Sequence, residues 1–327
     1  MIDVERWRLL RYDLPLHRPL TTGGGLRRTG LILQLTDGGA TGCGEAAPIP
    51  GFHPGSDEAV AQQIEAALCH GEEPTDPVAR FCIETAALDL AASQSGVRPA
   101  ALLVADPAPA APLNALIDSD RPAHQAQALA TEGCTAVKIK VGRRDIDSEI
   151  ASIKAVFEAA PRMRIRLDAN RAWSLDDACR FCDALRGVSL DYLEEPLADP
   201  ALLSDFYDRT GVPIGLDESL AEDHGGFPAG TAALVIKPTV VGGLTAALRL
   251  SAQAREIGAQ AVISATFETS VGLAALTEIA CATGPILPPQ GLGTWRWLAD
   301  DIVTERLIPE AFSLRWRRLT LRSERLR

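Results

Sequence analysis

The sequence lacks the residue patterns that mark a histidine or cysteine metal site. Its five histidines form no HxxxH or similar pair, and the only closely spaced cysteines, Cys179 and Cys182, have no second CxxC to complete a zinc site. The seven cysteines are odd in number and scattered, which indicates free thiols rather than a disulfide framework. We therefore expect a reducing, cytoplasmic compartment and no zinc centre.

Long apolar runs and an excess of positive charge are also missing. No stretch reaches the length of a membrane span, and the opening MIDVERWRLLRYDL is charged throughout, unlike a signal peptide. The formal net charge is −11, from 32 Lys and Arg against 43 Asp and Glu. This balance argues against a nucleic-acid or anionic-membrane partner, although a local cluster of cations can still bind an anionic small molecule. The sequence leaves the oligomeric state open.

The chain from Ala111 onward alternates short β-rich runs with amphipathic helical runs. Successive β-rich runs start roughly 25 residues apart, which is the repeat expected of βα units in a parallel barrel. We therefore predict an α/β fold in which eight strands close a TIM-type barrel. The eight runs are PLNALI, AVKIKV, RIRLDAN, LDYLEEP, VPIGLDES, ALVIKP, QAVISATFE and GPILPP.

The part ahead of the barrel mixes strand-like stretches with two helical ones, Asp57 to Leu68 and Val78 to Ser95, which indicates an α+β domain. Prolines between Pro99 and Pro112 break regular structure and mark a junction. We predict a capping domain over residues 1–105, a barrel over residues 106–299, and a C-terminal segment, 300–327, that packs back on the cap.

The run AVKIKV places two lysines, Lys138 and Lys140, in an otherwise apolar strand. Because side chains alternate across a strand, both ammonium groups point to one face. A solvated edge strand would tolerate that arrangement as well as a polar barrel interior would. The neighbouring strands decide between the two.

Three consecutive predicted strands end in carboxylates. RIRLDAN carries Asp168, LDYLEEP ends in Glu194 and Glu195, and PIGLDES ends in Asp217 and Glu218. The carboxyl ends of barrel strands converge at one mouth, where the catalytic groups of such barrels lie. Crowded carboxylates repel one another unless a cation neutralises them, and oxygen ligands suit Mg²⁺ or Mn²⁺. We therefore predict a divalent-metal site at Asp168, Glu194 and Asp217.

Lysines flank these carboxylates on the neighbouring strands. Lys138 and Lys140 lie on the strand before them, and Lys237, in ALVIKP, lies near the end of the strand after them. A divalent cation stabilises the charge that forms when a carbon next to a carboxylate loses its proton. Two like charges side by side make one of them a better proton acceptor, so we expect Lys138 to activate Lys140 as the base.

The motifs KIK, LDANRAW, LEEP, LDES and VIKP stand in an order and spacing that resemble the enolase superfamily, and in particular its muconate-lactonizing subgroup. The resemblance covers nearly the whole chain. It implies a modified (β/α)7β TIM-type barrel with an N-terminal α+β capping domain. It also implies Lys140 and Lys237 as acid–base lysines and the following metal ligands: Asp168, Glu194 (with Glu195 as the alternative) and Asp217.

Within the subgroup, the resemblance favours a dehydratase of menaquinone or phylloquinone biosynthesis that acts on a cyclohexadiene dicarboxylate. The short chain, the ISATFETSVGL stretch and the GLGT motif favour it, because dipeptide epimerases usually carry DxD where GLGT stands. It implies that Lys140 removes the proton beside the ring carboxylate and returns it to the departing hydroxide, while Lys237 stays cationic over the opposite ring face. A dipeptide epimerase, N-acylamino acid racemase or cycloisomerase is the alternative, and racemisation as a second activity is left open.

Other polar residues near the predicted strand ends are expected to bind the substrate or to orient the metal ligands. Thr269 and Ser270 either contact the substrate or cap the next helix. The TTGGGLRR stretch is either a lid or a plain hairpin connection, with Pro50 to Phe52 as a second wall of the mouth. The expected substrate-binding residues are Ser264, Glu268, Gly291, Thr294 and Thr22, and the expected orienting residues are Arg166, Asn170 and Glu218.

Two other classes of protein would also place a lysine in a barrel. A Schiff-base aldolase uses such a lysine covalently, but it does not need carboxylates at three strand ends. A binding barrel without catalytic activity is the second rival. Borohydride trapping with a carbonyl substrate tests the first rival, and full ligand binding without turnover after removal of divalent ions would favour the second.

Overall fold

The computed structural model describes residues 4–20, 25–222 and 226–327. None of its helices in these ranges is long and apolar enough to cross a bilayer. The strands are β1 Arg6–Pro15, β2 Arg27–Asp37, β3 Ala40–Ala46, β4 Ala111–Pro112, β5 Ala115–Ile117, β6 Ala136–Lys140, β7 Arg164–Asp168, β8 Leu190–Glu194, β9 Ile214–Leu216, β10 Thr231–Ile236, β11 Gln260–Ile263 and β12 Ser313–Leu314. The helices are α1 Asp57–His70, α2 Pro77–Ser95, α3 Ala100–Leu103, α4 Pro122–Thr131, α5 Ile146–Ala159, α6 Leu175–Ala184, α7 Leu203–Thr210, α8 Pro238–Val241, α9 Gly243–Glu256 and α10 Ser270–Ala282. Short 3₁₀ turns occupy Pro200–Leu202, Glu218–Ala221, Gly293–Trp297 and Ser323–Arg325.

The two helices predicted in the N-terminal part are present as α1 and α2. The Ser56 side chain accepts a hydrogen bond from the Ala59 amide at the start of α1, and Gly71 ends that helix in the left-handed conformation, with φ 71°. The Asp76 carboxylate accepts a bond of 2.8 Å from the Val78 amide at the start of α2. These bonds satisfy amides that have no partner inside the helix, so the local sequence sets the helix ends.

Strands β1, β2 and β3 form an antiparallel sheet in chain order. One face buries Leu33 against Ile64 of α1 and residues of α2. The other face buries Leu14 in a cluster with Ile302 and Val303, and Arg11 of β1 exchanges two backbone hydrogen bonds of 2.9 Å with the terminal arginine. Residues after 300 thus contact the N-terminal sheet. The proposed domain limits at 105 and 300 stay a prediction.

Helix α2 packs against β3 at a distance that only glycine permits. A Cβ on Gly44 would lie 2.0 Å from the Cys82 carbonyl oxygen, which belongs to the backbone of α2. We expect Gly44→Ala to lower the free energy of unfolding by about 3 kcal/mol, because the helix must move away from the sheet. Urea denaturation measures the loss. Gly293→Ala is the control, since the nearest atom to its Cβ lies 3.9 Å away, and equal losses in both variants would contradict the packing argument.

The second sheet is the parallel barrel predicted from the repeat. Its hydrogen-bonded order is β11-β10-β9-β8-β7-β6-β5, so each strand lies beside its neighbours in sequence. Residues Gln290 and Gly291 close the gap between β11 and β5. The Gly291 amide donates to the Ile263 carbonyl at 2.9 Å, and the Asn114 amide donates to the Gln290 carbonyl at 3.0 Å. The structure therefore confirms the α/β barrel class.

The run GPILPP was predicted as the eighth strand, and this prediction is wrong. The strand that closes the barrel comes directly after it, at Gln290 and Gly291. Pro288 and Pro289 have no amide hydrogen to donate to a ladder, so strand pairing begins only at Gln290. The Gln290 side chain reinforces the closure, because its Oε1 accepts a bond of 2.6 Å from the Ile263 amide.

Side chains alternate between the barrel interior and the surrounding helices. In β7, Ile165 and Leu167 are fully buried in the large core that joins the strands to the outer helices. The residues between them point into the barrel. Tyr192, Ala233, Val235 and Val262 form a small apolar cluster inside it. The mouth above this cluster carries the polar groups.

Candidate active site

Lysines and carboxylates meet at the carboxyl ends of β6, β7 and β8. The strand register places Lys140 beside Asp168, and Asp168 beside Glu194, on one level of the sheet. Lys138, one pleat lower, donates hydrogen bonds of 2.7 and 2.8 Å to the two oxygens of Glu194 and lies 2.8 Å from Asp168 Oδ2. The two lysines therefore share the interior face, and the edge-strand alternative is wrong.

Lys140 lies closer to solvent than Lys138 and has two partners. Its Nζ lies 2.5 Å from Asp168 Oδ2 and 2.7 Å from Asn170 Oδ1. Asn170 in turn donates its side-chain amide to Glu218 Oε1 at 3.1 Å and its backbone amide to Asp168 Oδ1 at 3.0 Å. Asn170 and Glu218 thus lie where they were expected, beside the carboxylates and Lys140.

Lys237 follows β10 on the other side of the carboxylates. Its ammonium forms an ion pair with Asp217 Oδ2, and its Nζ lies 5.6 Å from the ring centre of Phe52. Phe52 is one of the few large apolar side chains that are exposed, which fits its predicted place in the wall of the mouth. The sequence has only four lysines, and three of them, Lys138, Lys140 and Lys237, lie in this site.

The charges in the site are strongly coupled. Burial, and then the charge of Asp168, raise the pKa of Glu194 to about 8, although Lys138 opposes the shift. Burial disfavours the charged form of Lys138, but Glu194 and Asp168 together raise its pKa well above the usual value. Burial likewise opposes ionisation of Asp168, yet the two lysine ammonium groups lower its pKa. Lys138 is therefore a permanent cation, and the ionised form of Glu194 is opposed by burial and by the neighbouring Asp168 charge.

The carboxylates have the donor chemistry for a divalent ion, but the lysines hold their oxygens in this structure. Within the described ranges no three His, Cys, Asp or Glu side chains form a ready-made metal cluster. The oxygens of Asp168 and Glu194 are bonded to ammonium groups instead. The charge of Asp217 also raises the pKa of Glu194, so all three carboxylates act on one another. An all-oxygen set short of positive charge fits Mg²⁺ or Mn²⁺.

Glu195, the alternative to Glu194, faces away from this cluster. Its carboxylate accepts bonds of 2.9 Å from the Asp217 amide and 2.8 Å from the Ser219 amide, and Arg171 Nε donates to it at 3.0 Å. All of its partners belong to the loops that follow β7 and β9. Glu195 therefore holds the backbone of Asp217 in place, and Glu194 is the glutamate that shares the interior with Asp168.

Arg166 lies inside the barrel but does not orient the three carboxylates, so that expectation is wrong. It is fully buried, and its Nε donates to Asp191 Oδ2 at 2.8 Å. Its Nη1 donates to the Pro289 carbonyl at 2.6 Å. A register shift between Ile165 and Arg166 places one extra residue on β8, which turns Asp191 toward the interior. Arg166 thus joins β7, β8 and the closing strand below the mouth.

The expected substrate-binding residues do not form one group. Ser264 follows β11 at the mouth, and its hydroxyl lies 3.5 Å from the Gly291 carbonyl. The Gly291 amide and carbonyl are both used in barrel closure, so its backbone has no group left for a ligand. The Thr294 hydroxyl is buried without a hydrogen-bond partner among the described residues. Thr22, like most of the glycine-rich part of TTGGGLRR, lies outside the described residues.

Glu268 is not available to a substrate, and this expectation is wrong. It is only 3% exposed, and one oxygen accepts a bond of 2.7 Å from the Thr266 amide while the other pairs with the Thr266 hydroxyl. Thr269 is the N-cap of α10, because its hydroxyl accepts from the Val271 amide. Of the two roles left open for Thr269, the helix cap is the one that the structure shows.

The sequence reasoning missed Arg28, Glu45 and Thr239, which are buried polar residues around the mouth. Glu45 gave a signal like that of the lysine pair, namely a charged residue within a strand. Its contact with Thr269 could not be inferred, because the two residues lie more than two hundred positions apart in sequence. Thr239 gave no signal, since threonine is common at the start of a helix.

His53 is held neutral beside these residues. Its Nδ1 accepts from the Ile49 amide at 2.9 Å, and its Nε2 lies 3.3 Å from the Thr239 hydroxyl. Burial, and then the charges of Arg28 and Lys237, lower the pKa of His53 to about 4. In the unfolded chain, histidine binds a proton below a pH of about 6.5.

The lowered pKa predicts a loss of stability in acid that belongs to His53. The unfolded state takes up a proton before the native state does, so the free energy of unfolding falls between pH 6.5 and pH 4, by about 3 kcal/mol in total. We expect His53→Gln to remove this part of the pH dependence. Urea denaturation from pH 4 to pH 8 measures it. His70→Gln, at an exposed position of α1, is the control and should keep the wild-type slope.

The fold and the strand-end lysines and carboxylates define an enzyme of the enolase superfamily. The family model described as enolase C-terminal domain-like matches residues 121–318, and that of the MenC N-terminal domain matches residues 4–89. Muconate lactonizing enzyme from Pseudomonas fluorescens superposes with a TM-score of 0.81 at 24% identity, covering 98% of this chain and 97% of that one. L-Ala-D/L-Glu epimerase from Bacillus subtilis superposes with a TM-score of 0.80 at 21% identity and 97% coverage of both. At these identities the structures show the shared fold alone.

Relatives at higher identity identify the family within this class. The o-succinylbenzoate synthase of Yersinia pestis (strain Pestoides F) is 34% identical over 313 residues, which are 90% of this chain and 92% of that protein. The o-succinylbenzoate synthase of Thermobifida fusca (strain YX) is 38% identical over 222 residues, 66% of this chain and 69% of that protein. The chain belongs to the o-succinylbenzoate synthase family, and it is a lyase.

Proposed function

We propose that this chain dehydrates 2-succinyl-6-hydroxy-2,4-cyclohexadiene-1-carboxylate to 2-succinylbenzoate, in menaquinone or phylloquinone biosynthesis. The observation that carries the proposal is the pair of lysines on β6 bonded to Asp168, with the Lys237–Asp217 ion pair on the far side of the same carboxylates. Membership of the synthase family supports the choice of substrate. A dianionic small molecule fits a mouth that holds three lysines.

Lys140 is the proposed base. Its neutral amine would take the proton from the ring carbon that bears the carboxylate, and the electrons of the broken C–H bond would move toward that carboxylate. The C–O bond to the ring hydroxyl then breaks, and the Lys140 ammonium returns its proton to the leaving hydroxide, which departs as water. One group thus serves as base and then as acid on one face of the ring.

The permanent cations of the site would stabilise the charge that develops on the substrate. Lys138 stays protonated because it is paired with Glu194 and Asp168. Lys237, paired with Asp217, would face the ring from the other side without exchanging a proton. Buried fixed charges of this kind stabilise a developing anion without reorganisation.

Asp168, Glu194 and Asp217 are the proposed ligands of Mg²⁺, with Mn²⁺ as a substitute. When Lys140 is neutral, three carboxylates face only two ammonium groups, so the site gains from a divalent cation. Such an ion supplies positive charge at the substrate carboxylate, which makes the neighbouring C–H bond more acidic. Asn170 and Glu218 would keep Asp168 and Lys140 aligned.

A comparison of three substrates with Mg²⁺ tests the proposal. We expect rapid formation of 2-succinylbenzoate from the cyclohexadiene dicarboxylate, and a much lower kcat/KM for an N-succinylamino acid and for an L-Ala-Glu dipeptide. Paired lysines on two sides of a carbon acid also suit racemisation or epimerisation, which is why these two are the right comparison. A higher kcat/KM for either one would replace the proposal with that activity. The oligomeric state and a cytoplasmic location remain predictions.

A further inference from the structure

Three ionisable side chains are buried where the N-terminal sheet meets the barrel. Arg28 of β2 is 2% exposed, Glu45 of β3 is 1% exposed and Glu268 is 3% exposed. None of them touches the lysines and carboxylates of the mouth through a hydrogen bond or ion pair within the described ranges. Burial of an ionisable side chain is costly unless each of its polar atoms has a hydrogen-bond partner. The partners of Arg28 and Glu45 therefore show which backbone segments these side chains hold in place.

Arg28 bonds to backbone carbonyls and forms no ion pair among the described residues. Its guanidinium donates to the Phe267 carbonyl at 2.9 Å and to the Thr266 carbonyl at 3.3 Å, both just after β11. It also donates to the Pro48 carbonyl at 2.9 Å and to the Ala47 carbonyl, both just after β3. One rigid side chain therefore fixes the distance between the N-terminal loop and the barrel segment that follows Ser264.

Glu45 fixes the end of the same barrel segment, where α10 begins. Its carboxylate accepts bonds from the Thr269 amide at 2.9 Å, the Thr269 hydroxyl at 2.6 Å and the Gly272 amide at 2.8 Å, at the first turn of α10. The Tyr12 hydroxyl donates to the same carboxylate at 2.5 Å. Residues 264–269, which we call the β11 loop, are thus held by the N-terminal sheet at the middle of the loop, through Arg28, and at its last residue, through Glu45.

The β11 loop is connected to the strand end that carries Lys237. The Thr266 hydroxyl lies 2.9 Å from the Thr239 hydroxyl, and His53 Nε2 lies 3.3 Å from the same Thr239 oxygen. Thr239 is the second residue of α8, which begins at Pro238 directly after Lys237. A chain of contacts therefore runs from Arg28 through Thr266 and Thr239 to the backbone beside Lys237.

The geometry points to Arg28 and Glu45 as positioning residues for the barrel mouth: they hold the β11 loop and, through Thr266 and Thr239, set the place of Lys237 relative to Asp217. The inference rests on the proposed function, because Lys237 is its point of action. Four of the carbonyls that Arg28 bonds belong to the loop after β3 and to the β11 loop, so the guanidinium sets the spacing of these two backbones. A shift of about 1 Å in a catalytic group lowers a rate by about a hundredfold, so small changes in this network reach the chemistry.

The test uses the adjacent arginines of β2. Arg28→Met removes the buried guanidinium, whereas Arg27→Met removes an exposed one whose partner is Asp13. We expect Arg28→Met to lower kcat about tenfold or more at a temperature where it is folded, with Mn²⁺ affinity within about threefold of wild type. Arg27→Met should keep the wild-type kcat. Arg28→Lys, which can bond only some of the carbonyls, should recover part of the loss.

Two further variants separate positioning from stability. Leu33→Ala, in the same strand but in the core against α1 and α2, should unfold at a lower urea concentration than the wild type and leave kcat unchanged. Thr239→Val keeps the shape and removes the hydroxyl link, so it should fold and lower kcat severalfold. If Arg28→Met does not fold, the kcat of Thr239→Val alone tests the inference.

Wild-type kcat in Arg28→Met, or in Thr239→Val when the first variant is unfolded, overturns the inference. A kcat loss in Leu33→Ala as large as that in Arg28→Met at equal folded fraction also overturns it. A wild-type enzyme without dehydratase activity would refute the proposed function instead, so the two failures are distinguishable.

Discussion

Replacing Lys140 by alanine should reduce kcat for dehydration by about 10³-fold, because the variant loses both the base and the acid of the reaction. The fold should persist, since Asp168 keeps Lys138 as a partner at 2.8 Å and no buried charge is left alone. Metal affinity should be unchanged or higher, because one ammonium group leaves Asp168 Oδ2. Absorbance of the aromatic product measures kcat, and thermal melting and calorimetry with Mn²⁺ measure the other two.

Lys154→Ala is the matched control for this variant. Lys154 is the one lysine outside the site, and it is exposed on helix α5. It should keep the wild-type kcat. If Lys140→Ala retains more than about a tenth of the wild-type kcat while it is folded and binds metal, Lys140 is not the acid–base group. If Lys140→Ala no longer binds metal, the loss of metal alone would explain the lower kcat. That result would also count against Lys140 as the acid–base group.

Replacing Glu194 by glutamine should weaken Mn²⁺ binding at least about a hundredfold and reduce kcat correspondingly. Burial and the charge of Asp168 raise the pKa of Glu194 to about 8, so ionisation of this carboxyl is opposed without a metal, and glutamine is a neutral replacement of the same shape. The metal-free variant should therefore be as stable as the metal-free wild type. Calorimetric titration with Mn²⁺ and urea denaturation with a chelator present measure the two quantities. Chelator alone should abolish wild-type turnover, and Mg²⁺ should restore it.

Glu158→Gln, on the solvent side of α5, is the control and should bind Mn²⁺ as the wild type does. Unchanged Mn²⁺ affinity in Glu194→Gln would exclude Glu194 as a ligand. It would also refute the three-carboxylate site, since Glu195 is committed to the amides of Asp217 and Ser219. Full turnover after chelation would favour the Schiff-base alternative, which borohydride trapping detects.

Side chains alternate between the two faces of a strand, and this alternation explains why much of the barrel mouth could be predicted from the sequence. The interior place of Lys138 and Lys140 follows from a period of two, and the convergence of Asp168, Glu194 and Asp217 follows from their position at the ends of neighbouring parallel strands. The helices α1 and α2 were predictable because Ser56, Asp76 and the glycines after them mark their ends locally.

The features that the sequence did not reveal depend on irregular register or on distant contacts. The register shift on β8 turns Asp191 inward, so alternation gave Arg166 the wrong partner. The closing strand begins after two prolines, which moved it out of the apolar run. Glu268 looked like a ligand-binding group because its burial depends on tertiary packing, which the local sequence does not reveal. The roles of the mouth residues in binding and catalysis stay predictions.

The concentration of lysines in the mouth has a practical consequence for chemical modification. Lys138, Lys140 and Lys237 are engaged by carboxylates, whereas the Lys154 side chain on α5 is open to solvent. Among the lysines, reagents that acylate amines would therefore attach a dye or a surface linker mainly at Lys154, on a helix outside the barrel, at a pH where lysine reacts. Enzyme immobilised through Lys154 would keep the entrance of the barrel clear.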